Sequence, residues 1–138
     1  VTTITKPLVD RLLGDVTLTA LAPGGVWLDT APPPNEAPRP VIIVALQRAP
    51  LDGETVDCET VVRRFAYLIA VEGTQTQAVA VRNAAARVEV LMHREKWTAS
   101  GWTVTRSAFV DTVERAYVDG DARLLAVIGQ LEVVAQQG

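Results

Sequence analysis

Four acids crowd one short stretch, Asp52, Glu54, Asp57 and Glu59. Hard divalent cations want several carboxylate oxygens, so this is the first place to look for a metal. The spacing lacks the EF-hand order, whose loop ends in a fixed Glu. A charge run of this kind reads as a solvated loop tip, available for protein contact. Two arginines, Arg63 and Arg64, follow directly and supply the opposite charge.

The other reactive side chains do not assemble into a mechanism. His93 is the single histidine. It falls near the end of a predicted helix, where the macrodipole favours a cation and Glu89 sits one turn back. The single cysteine, Cys58, has Asp57 and Glu59 as neighbours, which oppose thiolate formation. One cysteine allows neither an intrachain disulfide nor a Cys-rich zinc site. Asp119, Asp121 and Arg123 look like an active-site turn, but hairpin chemistry accounts for Asp119-Gly120-Asp121. Gly24-Gly25 is followed by no Gly-Lys-Ser/Thr, so it is not a phosphate loop. Arg63, Arg64, Arg82, Arg87 and Arg94 form a candidate basic face without the interleaved aromatics of a single-strand platform. Trp27, Trp97 and Trp102 are too dispersed for an aromatic cage, and packing is their expected use. No catalytic residue, metal site or cofactor is assigned.

The bulk numbers fit a globular domain. The 138 residues are 49% hydrophobic and 21% charged, and the formal charge is −3. That length carries a real core in one domain, 1–138. The mild acidity argues against a dedicated nucleic-acid binder. No apolar run approaches the ~18 residues of a membrane helix. The opening residues lack the basic and then apolar regions of a signal peptide, and the expectation is folding in a reducing cytoplasm.

The elements that would position these residues follow from periodicity. Thr5 is the expected N-cap of a short helix carrying Leu8 and Leu12, with Gly14 as its stop. Asp15 caps a further turn through Leu18 and Leu21. Val26 to Leu28 suits a short strand. Ala31 to Pro40 holds five of the eight prolines and reads as a stiff loop. Val41 to Leu46 is continuously apolar, the pattern of a strand covered on both faces. Thr60 to Glu72 alternates as a long strand, with Arg63, Phe65, Tyr67, Ile69 and Val71 on one face. Thr74 to Gln77 makes a capping box. Ala78, Val81, Ala85, Val88 and Met92 then mark one face of a helix reaching about Glu95. Trp97 to Gly101 reads as a turn, Trp102 to Tyr117 as a strand, and Ala122 to Ala135 as the last strand.

This order resembles the tail terminator (tail-completion) proteins of long-tailed phages and gene transfer agents. The resemblance rests on Leu8-Val9-Asp10-Arg11-Leu12-Leu13, Leu18-Thr19-Ala20-Leu21 and Val26-Trp27. It continues through Ala31-Pro32-Pro33-Pro34, Arg39-Pro40-Val41-Ile42-Ile43-Val44 and Phe65-Ala66-Tyr67-Leu68, then the alanine-rich helix and Asp121-Ala122-Arg123. It implies an α/β (α+β) fold, mainly an antiparallel sheet with an N-terminal helix and one long amphipathic helix against it. It implies a non-enzymatic virion protein at the tail–neck junction, made in the host cytoplasm. Such a protein forms a homohexameric ring that caps the tail tube protein and meets the head–tail connector. Genomic DNA passes its lumen without specific binding. On that reading Asp52, Glu54, Asp57 and Glu59 meet Arg63 and Arg64 across a subunit interface. A neck (head-completion) protein is the alternative within the same virion. Outside it stand a small enzyme or ligand-binding domain using His93, Asp119, Asp121 and Arg123, and a cytoplasmic adaptor.

Overall fold

The computed structural model describes residues 4–33, 36–48, 61–99 and 101–137. The acidic run Asp52, Glu54, Asp57 and Glu59, with Cys58, lies outside the described residues.

Six strands form one sheet in the order β1-β2-β3-β6-β5-β4. They are β1 (Val26–Leu28), β2 (Val41–Arg48), β3 (Val61–Thr74), β4 (Trp97–Ala99), β5 (Trp102–Asp119) and β6 (Ala122–Gln137). The pair β1–β2 is parallel and the others are antiparallel. The helices are α1 (Thr5–Leu13), α2 (Val16–Leu21) and α3 (Ala78–Met92). The expected α+β class is therefore the observed one. All three helices pack on one face of the sheet.

The alternation read from β3 sets that face. Phe65, Tyr67, Ile69 and Val71 are buried beneath the helices, beside Ile42 and Val44 of β2 and Leu131 and Val133 of β6. From above, Leu8, Leu12, Leu18, Val81, Ala84, Val88 and Met92 complete one core. Trp102 meets Phe65 edge-on at 5.6 Å between ring centroids. Trp97 is buried under the Arg11 guanidinium, 5.5 Å from its ring centroid. Packing is thus the use of these two tryptophans; Trp27 stays exposed on β1.

Several boundaries differ from expectation, each for a local reason. Thr5 is inside α1 and Ile4 flanks it. The Thr5 hydroxyl is instead hydrogen-bonded to the Tyr67 hydroxyl at 2.9 Å, giving a buried phenol its partner. Burial pushes the Tyr67 hydroxyl up to about 12, against the pull of that bond, so it stays neutral. The long helix stops at Met92 rather than Glu95. There the buried Ser107 hydroxyl donates to the Met92 carbonyl at 2.6 Å, and the chain turns onto the sheet edge. Trp97–Ala99 is a short strand pairing with Trp102–Val104 rather than a turn. The capping box at Thr74–Gln77 forms, with the Thr74 N–H donating to Gln77 Oε1 at 3.1 Å. It leads through one 3₁₀ turn, Gln75–Gln77, into α3.

β2 departs from its expected double cover. Ile42 and Val44 are buried under helices, while Ile43 and Ala45 on the other face are only half-buried. Val41 is covered on that face by the proline loop and by Gly24. A Cβ on Gly24 would lie 2.2 Å from both the Pro38 carbonyl and Val41 Cγ1.

Candidate interaction surfaces

The open face of the sheet is built by the second half of each alternation. Its middle row is Ile43, Ala70, Ile128 and Val113, taken across β2, β3, β6 and β5. Leu68 sits one row below. Ile43, Leu68, Ala70 and Ile128 are half-buried and Val113 is exposed. Below that apolar band lies a row of Arg64, Val134 and Arg106. Arg63, next in sequence, points to the helix face, is half-buried, and has its Nε buried without a hydrogen-bond partner. The two arginines therefore present to opposite sides of the sheet.

At the other end of the open face is a buried polar knot that the sequence reading missed. Arg39 and Glu72 are both under a tenth exposed, with Arg39 Nη2 3.6 Å from Glu72 Oε1. The Tyr117 hydroxyl donates to Glu72 Oε2 from two strands away. Arg39 Nη2 also donates to the Pro32 carbonyl at 2.8 Å, and Gln77 Nε2 donates to the Arg39 carbonyl at 3.2 Å. The knot ties the proline loop to the sheet. Burial first, and then the bonded Glu72 carboxylate, push the Tyr117 hydroxyl far up, so it remains a donor. The signal was present in the sequence as a lone glutamate in an apolar strand and an arginine between prolines. A buried charge must be paired.

On the helix side a cleft of about 430 Å³ opens between α3 and β5. Its floor is Ile69, Val71, Val127 and Phe109, and it exists because Ala85, Ala86 and Gly129 are small. A fork of two bonds closes its rim: Arg82 Nε and Nη2 donate to Glu114 Oε1 and Oε2 at 2.7 and 3.1 Å. Bonding to Arg82 holds the Glu114 carboxyl below its ordinary range. Arg87 makes a second fork to Asp15 at 2.7 and 2.8 Å. Arg82 and Arg87 are thus spent on carboxylates of their own chain, and the candidate basic face disperses.

The catalytic alternative is not assembled either. His93 is no free surface histidine paired with Glu89. Its Nδ1 accepts the Phe109 N–H at 3.0 Å and its ring stacks on Phe109, 6.4 Å between centroids. That bond needs an unprotonated Nδ1. Asp119 lies ten residues further along β5, roughly 30 Å away at about 3.3 Å per residue. Gly120, at φ 61°, leads the two-residue hairpin turn between β5 and β6. Among the described residues no group of three or more His, Cys, Asp or Glu is placed to hold a metal ion. No described helix is long and apolar enough to cross a membrane.

No protein-family model matches the sequence, and no curated protein matches it as a relative. Solved structures do match by fold. A chain from the virion of a native gene transfer agent particle is similar over 92% of this chain and 91% of its own, with TM-score 0.61 and 18% identity. The bacteriophage SPP1 gp17 protein is similar over 94% of this chain and 86% of its own, with TM-score 0.48 and 15% identity. The first likeness establishes a shared fold across nearly the whole chain.

Proposed function

We propose that this chain is a structural protein of a phage-type virion, acting as the terminator that caps the tail tube. In this reading six copies close into a ring on the finished tube. The ring ends tube growth by offering a surface that the next tube subunit cannot extend, and it joins the tail to the neck. The partners are the tail tube protein, the head–tail connector and further copies of the chain. Genomic DNA passes the lumen without tight phosphate contact, consistent with a formal charge of −3. The role is mechanical and needs no catalytic residue or cofactor.

The observation that carries the reading is the end-to-end fold likeness to a chain of a gene transfer agent virion. It agrees with the family resemblance of the sequence, which was drawn from different features. The distribution of surfaces supports it too. Apolar and charged groups are spread over a sheet face, a strand edge and a cleft, rather than converging on one reactive centre. A neck protein of the same virion is the nearest competing role, because a shared fold does not fix position in an assembly.

The test is the mass of the native particle, measured alone and with tail tube protein. Six copies on the tube are the expected result. A chain that never reaches six and never binds the tube would overturn the terminator role. Binding to connector but not to tube would move it to the neck.

A further inference from the structure

β5 has a long outer edge that is occupied at one end only. Among the described residues, β4 pairs with Trp102–Val104, the Arg94 N–H donates to the Ser107 carbonyl, and the Phe109 N–H donates to His93. From Asp111 to Asp119 the strand pairs with β6, Val110 forming a bulge, and from Val110 onward its other side has no partner among the described residues. All ten residues are exposed, and Val110, Val113, Tyr117 and Val118 stand among them. Free edges are templates for another strand, and folded proteins blunt them with proline, charge, a bulge or shortness. This edge is long and free of proline; its one bulge falls at its start, at Val110, and its charges, Asp111, Glu114, Arg115 and Asp119, are of both signs and so can be matched by a second copy. The opposite edge, β1, is three residues long and is followed by Asp29 at φ 66°.

We propose that two copies of this chain join antiparallel through these β5 edges, about a two-fold axis at Val113. Charge and the length of strand in contact together select the register. Asp111, Val113 and Arg115 lie at alternate positions on the open face of the sheet. Neither Asp111 nor Arg115 has a charged partner within its own chain among the described residues. Centring on Val113 sets Asp111 of each copy opposite Arg115 of the other, with Thr112 opposite Glu114. Centring on Asp111, Glu114 or Arg115 opposes two like charges, and centring on Thr112 forms no charge pair; centring on Tyr117 pairs Arg115 with Asp119 but leaves only the last five residues of the strand in contact. Directly opposed unlike charges stabilise a strand pair and like charges destabilise it.

The same orientation matches the ends of the contact. It carries the hairpin tip of one copy, with Asp119 and Asp121 against Arg123, to the covered end of β5 in the other. A groove of about 370 Å³ lies there, lined among others by Arg94, Lys96 and Arg106 against Glu95. An acidic tip thus meets a basic groove twice across the axis.

A two-fold contact is complete at two copies. It belongs to the free chain and does not rest on the virion reading; a polar ring would have to close through other surfaces. Sedimentation velocity of the full chain over a range of concentrations tests it. Wild type is expected to reach two copies. Asp111→Arg or Arg115→Asp alone creates two like-charged pairs and should weaken the dimer about tenfold. The combined swap should restore it, a rescue that misfolding would not produce. A wild type that stays monomeric, a swap that fails to rescue, or a six-copy particle indifferent to all three variants would each overturn the edge pairing. The last result would leave the ring standing, whereas a dimer that follows the charges but never binds tube would spare this contact and remove the ring.

Discussion

Asp15 shows how much one side chain does at the helical layer. It caps α2 by accepting the Leu18 N–H at 2.9 Å, and it receives the Arg87 fork from α3. Those bonds, chiefly from Arg87, lower its carboxyl from 3.8 to about 2. The folded value is depressed, so the ionised form contributes stability above the unfolded value near 3.8. That contribution is lost as pH falls through about 4 toward 2. Asp15→Ala removes a cap and an interhelical pair, and should cost about 1–2 kcal/mol at neutral pH. Urea denaturation of both proteins at pH 7 and at pH 2.5 checks this: the gap should shrink at the lower pH. A gap that stayed constant would mean the carboxylate is not the stabilising group. The cap was legible because it needs only an acid three residues before an amide. Its partner Arg87 lies 72 positions away and no local rule points to it.

At the scale of elements, Gly129 decides how α3 and β5 share the helix face. A Cβ there would stand 2.7 Å from Phe109 Cε1. Phe109 lies opposite the neighbouring Leu131 in the ladder, just before a bulge in β5. Gly129 lets its ring lie over β6 and stack on His93. Gly129→Val should force the ring out and destabilise the fold by about 1–3 kcal/mol. A melting curve on the purified variant reads the loss directly. An unchanged melting temperature would show that the ring has room to move and that the cleft is not shaped by this glycine. The strands themselves were readable, since alternation is a local property of the chain. The end of α3 was not, because Ser107 terminates it from another strand. The short β4 was hidden for a similar reason: three residues carry too little periodicity to be told from a turn.

The described residues form one sheet with every described helix on one side, so these elements share a core. β3 runs through the middle, pairing with β2 on one side and β6 on the other. Chemical unfolding followed by tryptophan fluorescence and by far-ultraviolet circular dichroism should therefore give one transition with coincident midpoints. Trp97 and Trp102 report from the core near β4, and the dichroism reports on all strands and helices. Separated midpoints would mean that the edge around β4 and β5 unfolds as its own unit. The open sheet face and the β5 edge are where this molecule has binding capacity left over.

Some of this was determined by the sequence alone. Composition read as that of a globular chain, alternation and helical spacing placed the main elements of an α+β fold, and their order resembled a virion protein family. Those signals survive because they depend on residues close together in the chain. Only the tertiary structure decided which face of β2 stays open, that Glu72 is held by Arg39 and Tyr117, that Arg82 and Arg87 are already paired, and that β5 outruns β4 and keeps an open outer edge among the described residues. Each depends on groups tens of residues apart meeting in space. Strand order is chosen by how the whole core closes, so a strand's own residues do not reveal whether it lies at the centre or at the edge.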